Sequence, residues 1–325
     1  MPPKVTVLLP AYNGDKFLRE SISSVLNQSF RDFELLVVDD CSSDMSTDVV
    51  RSISDPRIRL IVNSVRKTLP GALNVGLNAA MGTYVARMDQ DDICVPDRLE
   101  KQVRFMEAHP EIDIVGGWVK AIGDHPSAGT IFRYPTETAD VKATLLFDNP
   151  FAHPTVMFRK ASLDRLGLRY DESCYGAEDY ELWSRALEVL SGANIPSILL
   201  HYRLHAKSIT MSLNSDMDAR AIEILQKLFP GIGLTPSYDE MKFHRLICTN
   251  RLSLEWNRDS LEKVERWLAG LVSANARSGR YDQDAFRLVV NRVWFSVAYR
   301  STGLGWCTVR KYFASPLSYV GKDRV

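Results

Sequence analysis

The sequence predicts an α/β fold, a mostly parallel sheet flanked by helices, followed by a helical C-terminal region. Three observations predict it. Short apolar, β-branched runs recur through the first hundred residues; a stretch of helical periodicity or a polar turn cluster follows each run; and strand-like runs cease after Ser212. Strands alternating with helices at this spacing imply parallel βαβ units. Continuous apolar strand cores fit a sheet covered on both faces.

Val5–Pro10 reads as the first strand, and the helix over Gly14–Gln28 places Leu18, Ile22, Val25 and Leu26 on one face. Phe33–Val38, Ile58–Val62 and Tyr84–Met88 read as further strands, and Gly71–Met81 as an Ala/Leu-rich helix that Gly82 would cap. A helix is expected from Pro96 to Ala108, strands over Ile112–Ile122, Phe151–Arg159 and Ile195–Tyr202, and a helix over Glu178–Leu190. Helices are then expected over Ala219–Leu228, Glu240–Leu252, Leu261–Ala274 and Ala285–Tyr299, with a boundary near Ser212–Asp216.

With 45% hydrophobic and 25% charged residues, the 325-residue chain has apolar material for a full core without staples. Its five cysteines (Cys41, Cys94, Cys174, Cys248 and Cys307) are scattered and form no CxxC pair, which reads as reduced thiols. There is no basic segment before a long apolar one, and no apolar run near the ~18 residues of a membrane span. A cytoplasmic protein is expected. The 40 basic and 40 acidic residues balance, yet from Glu240 onward 15 Lys/Arg face 8 Asp/Glu. An acidic body argues against a nucleic-acid partner, while the basic tail leaves open an anionic surface such as the inner face of a membrane.

In open α/β sheets ligands bind beyond the carboxyl ends of the strands. Here those ends read Pro10-Ala11-Tyr12-Asn13-Gly14, Asp39-Asp40 and Asp89-Gln90-Asp91-Asp92. Asp39, Asp40 and Asp44 could serve as helix caps. Three carboxylates in four residues are harder to explain that way, because they repel one another unless a cation sits among them. Oxygen ligands of this kind suit Mg²⁺ or Mn²⁺, and such an ion would let an acidic hollow grip a diphosphate. Neither GxxxxGK[ST] nor GxGxxG follows the first strand.

The blocks VTVLLPAYNG, SISSVLNQSFRDFELLVVDDCSSD, GALNVGLNAAMGTYVARMDQDDICVPDRL, AHPTVMFRK and YGAEDYELWSRAL, in that order, resemble family-two glycosyltransferases of the GT-A fold, of the non-processive bacterial type. The resemblance covers residues 4–210. It implies a catalytic domain over residues 1–212, with a nucleotide-sugar half to about 110 and an acceptor half beyond it, and it leaves residues 213–325 outside. It implies that Pro10, Tyr12 and Asn13 line the nucleotide end, that Asp40 accepts the base's imide hydrogen, and that Asp89 and Asp92 lie at the ribose or donor sugar. Asp91 would be the direct metal ligand, with His205 in the metal shell or on phosphate, and Arg203 in a segment closing over the diphosphate. Asp179 would be the base that deprotonates the acceptor hydroxyl, a single displacement that inverts the anomeric centre, with Glu178 and His153 on the acceptor side.

Glu178 and Asp179 could instead serve only the dipole of the helix they begin, and His205 could be a plain loop histidine. UDP-sugar is favoured and dTDP-sugar left open, since both bases present the same imide edge. A glycan or lipid-linked glycan is the expected acceptor, in surface-glycan synthesis. The helix after Asp179 lacks QxxRW, which points to addition of one sugar. The alternatives are a nucleotidyltransferase, which should carry a basic Gly-rich loop after the first strand, a dehalogenase-like phosphatase, which wants its nucleophilic Asp there, and a non-catalytic sugar-nucleotide binding module. Residues 287–300 mix apolar clusters with Arg287, Arg292 and Arg300, compatible with peripheral membrane contact, packing on the catalytic domain, or a homodimer through 213–325.

Overall fold

Strand β1 (Val5–Ala11) is buried along its whole length, as are β2 (Phe33–Asp39) and β4 (Tyr84–Arg87), which accounts for their unbroken apolar sequence. A computed structural model describes residues 2–205, 214–249, 258–301 and 306–318. Ser212, at the expected boundary, and Leu252, the end of one expected helix, lie outside the described residues.

Helices α1 (Asp15–Leu26), α2 (Ser46–Arg51) and α3 (Thr68–Ala79) connect β1, β2, β3 (Ile58–Val62) and β4, which pair in parallel in the order β3-β2-β1-β4. Parallel neighbours need such crossovers. Helix α3 lies so close to the sheet that a Cβ at Gly76 would fall 2.0 Å from the Leu8 side chain. Gly82 does not cap this helix, whose last residue is Ala79. It lies instead where a Cβ would strike the Thr6 backbone nitrogen at 2.4 Å, so its smallness serves sheet contact.

Beyond β4 the sheet becomes mixed. β8 (Met157–Arg159) pairs antiparallel with both β4 and β6 (Ile114–Gly123), β6 runs parallel to β9 (Gly192–Leu204), and β9 pairs antiparallel with the two-residue β5 (Ile93–Cys94). β7 (Ile131–Phe132) adds to β6. Parallel pairing thus holds over β1–β4 and gives way where β8 is inserted. Only the last three residues of the expected Phe151–Arg159 strand belong to β8; His153–Thr155 form a 3₁₀ turn with Pro154 inside it. Helices α4 (Arg98–Ala108), α5 (Thr138–Thr144), α6 (Lys160–Arg165) and α7 (Glu178–Ala186) occur along this stretch of the chain, α7 ending a turn earlier than expected.

Because β8 runs against β4, the turn before β8 lies beside the carboxyl end of β4, with Arg87 N donating to Val156 O at 2.8 Å. β6 and β9 run with β4, so the end of β9 reaches the same edge. This topology assembles the site.

The chain divides into two compact units, Met1–Thr138 with Phe151–Met217, and Ala139–Pro150 with Asp218–Val325. Residues 139–150, read in sequence with the acceptor half, therefore count with the C-terminal unit. That unit contains most of α8 (Asn214–Leu228), then α9 (Tyr238–Cys248), α10 (Arg258–Ser278), α11 (Gln283–Arg300) and α12 (Trp306–Ala314). At its centre His244 Nε2 donates to Leu146 O (2.7 Å) and Nδ1 accepts from the Trp267 indole (3.0 Å), with Phe147 and Phe229 packed around the ring. A carbonyl can only accept and an indole N–H can only donate, so this imidazole is neutral. Burial, opposed by the Leu146 bond, pushes its pKa down to about 4.

An unfolded His244 would take its proton near 6.5, so folding stability falls as pH drops below that value and the loss levels off below about 4. By pH 5 the cost is on the order of 2 kcal/mol. Thermal unfolding followed by far-UV circular dichroism should show Tm falling from pH 7 to 5, and His244→Gln, though less stable at pH 7, should flatten that slope. An unchanged slope would refute the assignment.

Candidate active site

The carboxyl end of β4 leads directly into Asp89-Gln90-Asp91-Asp92, where ligating oxygens of Asp89, Asp91 and Asp92 lie within 4.8 Å of one another. Each carboxylate is fixed by a different element. Arg87, buried at the end of β4, forms an ion pair with Asp89. The Arg203 backbone N–H, at the end of β9, donates to Asp92 Oδ1 (2.8 Å). His205, two residues on, lies 2.8 Å from Asp91 Oδ2 through Nε2. The Arg203 guanidinium donates to Asp91 O (2.7 Å), pairs with Glu20 (2.6 Å) and stacks on Phe17. The sequence-predicted Asp89, Asp91, Asp92, Arg203 and His205 are thus brought together.

Burial raises the Asp89 acid, opposed by Arg87 and assisted by the negative charges of Asp91 and Asp179. Burial and the neighbouring Asp89 and Asp91 hold Asp92 well above the usual carboxylate range. Asp92 Oδ2 is buried with no hydrogen-bond donor. Crowded, desolvated carboxylates with an unused inner oxygen and an adjoining imidazole fit a divalent cation. Oxygen ligands of this kind suit Mg²⁺ or Mn²⁺.

Asp179 stands in the first turn of α7 beside Glu178 and Glu181. Glu181 is occupied by Arg185 (2.6 Å), and Glu178 Oε2 accepts from Gly176 N (2.6 Å). Burial first, then Asp179, pushes the Glu178 acid up to about 7. Asp179 Oδ2 lies 4.0 Å from His153 Nδ1, on the 3₁₀ turn before β8. His153 Nε2 is 2.9 Å from the buried Tyr170 hydroxyl. Burial and the Arg87 charge lower its pKa far enough that it is neutral.

Pro10, Tyr12, Asn13 and Asp40 lie at the ends of β1 and β2, where Ala11 pairs with Asp39. Asp40 Oδ1 accepts from Asn63 Nδ2 (2.9 Å) and Lys67 N (2.8 Å), which sets the carboxylate plane. Tyr12 exchanges backbone hydrogen bonds with the Gln90 amide and carries the Arg66 guanidinium 4.1 Å over its ring. Of the capping roles considered for this cluster, only Asp44 comes near one, accepting from Asp15 N and Ser46 N, the first residues of α1 and α2, whereas Asp39 accepts from Ser42 N in the loop before α2.

Sequence reasoning missed Arg87, Arg98, Tyr170 and Gln90. Arg87 left a signal, a lone cation in an otherwise apolar strand. Arg98, fully buried, donates to Arg87 O (2.6 Å) and to Gln102 Oε1 (3.0 Å), and Gln102 donates to Thr155 O (2.7 Å), but in sequence it reads as a surface helix residue.

Across 99% of its length the chain superposes on 94% of S. aureus TarS 1-349 in complex with UDP, with a TM-score of 0.56 and 17% identity. It also superposes on mannosyltransferase PcManGT from Pyrobaculum calidifontis in complex with GDP-Man and Mn²⁺, with a TM-score of 0.56 and 20% identity, over 97% of this chain and 88% of that one. These likenesses define the class of fold, GT-A. Residues 6–167 match the sequence profile of glycosyl transferase family 2. An uncharacterized glycosyltransferase of Haemophilus influenzae is 32% identical over 68% of this chain and 72% of its own. The UDP-Glc:alpha-D-GlcNAc-diphosphoundecaprenol beta-1,3-glucosyltransferase WfgD of Escherichia coli is 33% identical over 63% and 79%. The chain belongs to glycosyl transferase family 2 and is a glycosyltransferase. This membership decides against the nucleotidyltransferase and phosphatase alternatives.

Repulsion within the aspartate cluster has a measurable consequence. Asp92→Asn keeps an acceptor for Arg203 N and removes one charge, so with chelator present its Tm should equal or exceed that of the parent. Added Mn²⁺ should then raise Tm by less than in the parent. A Tm lower by several degrees in chelator would contradict the repulsion.

Proposed function

We propose that the chain moves a single sugar from a nucleotide-diphosphate sugar, a UDP-sugar by preference, to an acceptor hydroxyl by one inverting displacement, within surface-glycan synthesis. The observation that carries this reading is the proximity of two acidic groups with different tasks. Arg87, paired with Asp89 of the Asp89–Asp91–Asp92 cluster, donates its backbone N–H to Val156 O, next to the turn that sets His153 4.0 Å from Asp179.

On this reading Asp91, His205 and Asp89 hold a divalent cation, with Asp92 as a further oxygen. When bound, that ion neutralises the diphosphate and takes up charge as it leaves. Tyr12 offers its ring to the base, and Asp40, with Oδ1 occupied by Asn63 and Lys67, presents its remaining oxygen to the imide hydrogen. Asp179 receives the proton of the attacking hydroxyl. His153, held neutral and anchored by Tyr170, faces Asp179 with Nδ1 and limits its rotation. Glu178, pushed up to about 7 beside it, keeps a second full negative charge from forming there at neutral pH.

The uridine preference draws support from the UDP-Glc in the name of the Escherichia coli relative and the UDP bound to TarS; the GDP-Man bound to PcManGT makes guanosine donors the competitor to test. The diphosphoundecaprenol in that relative's name supports a lipid-linked glycan as the acceptor class. A panel of UDP-, dTDP- and GDP-sugars, assayed for nucleotide release with Mn²⁺, Mg²⁺ or chelator, should show release from a UDP-sugar only with a cation. Cation-independent release, or release from GDP-sugars alone, would overturn the reading. Asp179→Asn should bind donor as the parent does, yet lose about 100-fold or more in turnover. Near-normal turnover would remove Asp179 from the role of base.

A further inference from the structure

Helix α11 buries Phe286, Val289, Val290, Trp294 and Val297, as a packed helix should, but its other face is not the polar surface that usually completes such a helix. At 100° per residue, positions 287, 288, 292, 295 and 299 share an arc of about 140°. Leu288, Phe295 and Tyr299 lie together on the Arg292 side of that arc, with the exposed Arg287 and Arg292 at its two margins and Asn291 and the exposed Asp284 between Arg287 and Phe295. Phe295 is 54% and Tyr299 70% exposed, and on α12 Phe313 is 76% exposed. The rings form one continuous run from Tyr299 to Phe295 (6.3 Å), to Tyr312 (5.6 Å), to Phe313 (5.2 Å). Arg310, exposed on α12 three residues before Phe313, adds a third cation. Lys311 does not, being committed to Glu262 and Glu265 at 3.5 Å each.

We propose that this aromatic run and its arginine margin form a docking surface for an anionic lipid bilayer. Aromatic rings on a helix face with arginines at its edges suit the headgroup boundary, where rings enter the acyl region and guanidinium groups meet lipid phosphates. The charge pattern favours lipid over a second copy of this chain, since a two-fold interface on this patch would set the same arginines against each other. No helix among the described residues is long and apolar enough to cross a membrane, so contact through this surface would be peripheral. The surface requires neither donor nor cation, so it stands independently of the proposed transfer; a lipid-linked acceptor would give it a use.

Co-sedimentation of the full chain with phosphatidylcholine vesicles, with and without phosphatidylglycerol, tests the proposal. The chain should pellet with the anionic vesicles and much less with the neutral ones, and added salt should weaken binding. The triple variant R287Q/R292Q/R310Q should lose about 100-fold in affinity, and F295S/Y299S/F313S at least tenfold. All six side chains are exposed, and an unchanged Tm confirms that each variant folds. Equal binding to both vesicle types, binding that neither variant weakens, or a dimer in sedimentation velocity that the aromatic variant splits would each overturn the proposal. Nucleotide release measured on the same variants keeps this outcome separate from that of the transfer reading.

Discussion

Asp89, Asp91 and Asp92 can share one corner of the molecule only because other groups hold them against their mutual repulsion. At separations of a few ångströms in a partly desolvated site, like charges cost several kcal/mol unless they are neutralised or paired. The molecule meets part of that cost with Arg87 on Asp89, His205 on Asp91 and the Arg203 amide on Asp92. These three groups come from β4 and from the end of β9, more than a hundred residues apart. The inserted antiparallel strand β8 leaves β4, β6 and β9 pointing the same way, and that is what lets the end of β9 close on the aspartates.

The support continues beneath the site. Arg98 is fully buried and its neighbours are neutral: the Arg87 carbonyl, the Gln102 amide oxygen and the sulfurs of Met88 and Cys94. A buried cation without a bonded carboxylate is costly, and these four neutral acceptors hold the guanidinium in place. Gln102 extends the same network to Thr155 O, in the turn that carries His153. The donor side and the acceptor side therefore rest on one buried chain of hydrogen bonds, in which no group can move without leaving another unsatisfied.

The half of the fold that was legible in the sequence is the half in which strand and helix signals alternate cleanly. β1 to β4 are apolar runs punctuated by Gly, Asp and Ser, and their pairing follows from crossovers. The mixed half was harder to read. Ala152-His153-Pro154-Thr155 sits in an apolar stretch that reads as strand, and only tertiary packing turns it into a 3₁₀ turn that aims His153 at Asp179. The aspartates were legible because charge density of that kind has few structural uses. His205 and Arg203 came from resemblance alone, for nothing in the local pattern of β9 marks which residues its carboxyl end will deliver. Arg98 and Tyr170 were invisible for the opposite reason, since Arg and Tyr in polar surroundings read as surface until burial is known.

Strain at the other end of the edge has the same sense as the repulsion. Asn13, Cys41 and Thr68 all have left-handed backbone, with φ of 47°, 65° and 63°, and none is glycine. For a β-branched residue such as Thr68 this is a clear outlier, and each such residue costs on the order of 1–3 kcal/mol. They stand where β1 and β2 end and α3 begins, held by a net of bonds: Asn13 N to Ser42 Oγ, Ser43 N to Asn13 Oδ1, and Lys67 N to Asp40. Of these bonds, that of Lys67 N also fixes Asp40. An edge that carries backbone strain at one end and carboxylate crowding at the other gives up stability for its geometry. A cation brought to the aspartates would relieve the crowding, so on the proposed reading affinity for the cation draws on repulsion already present in the fold.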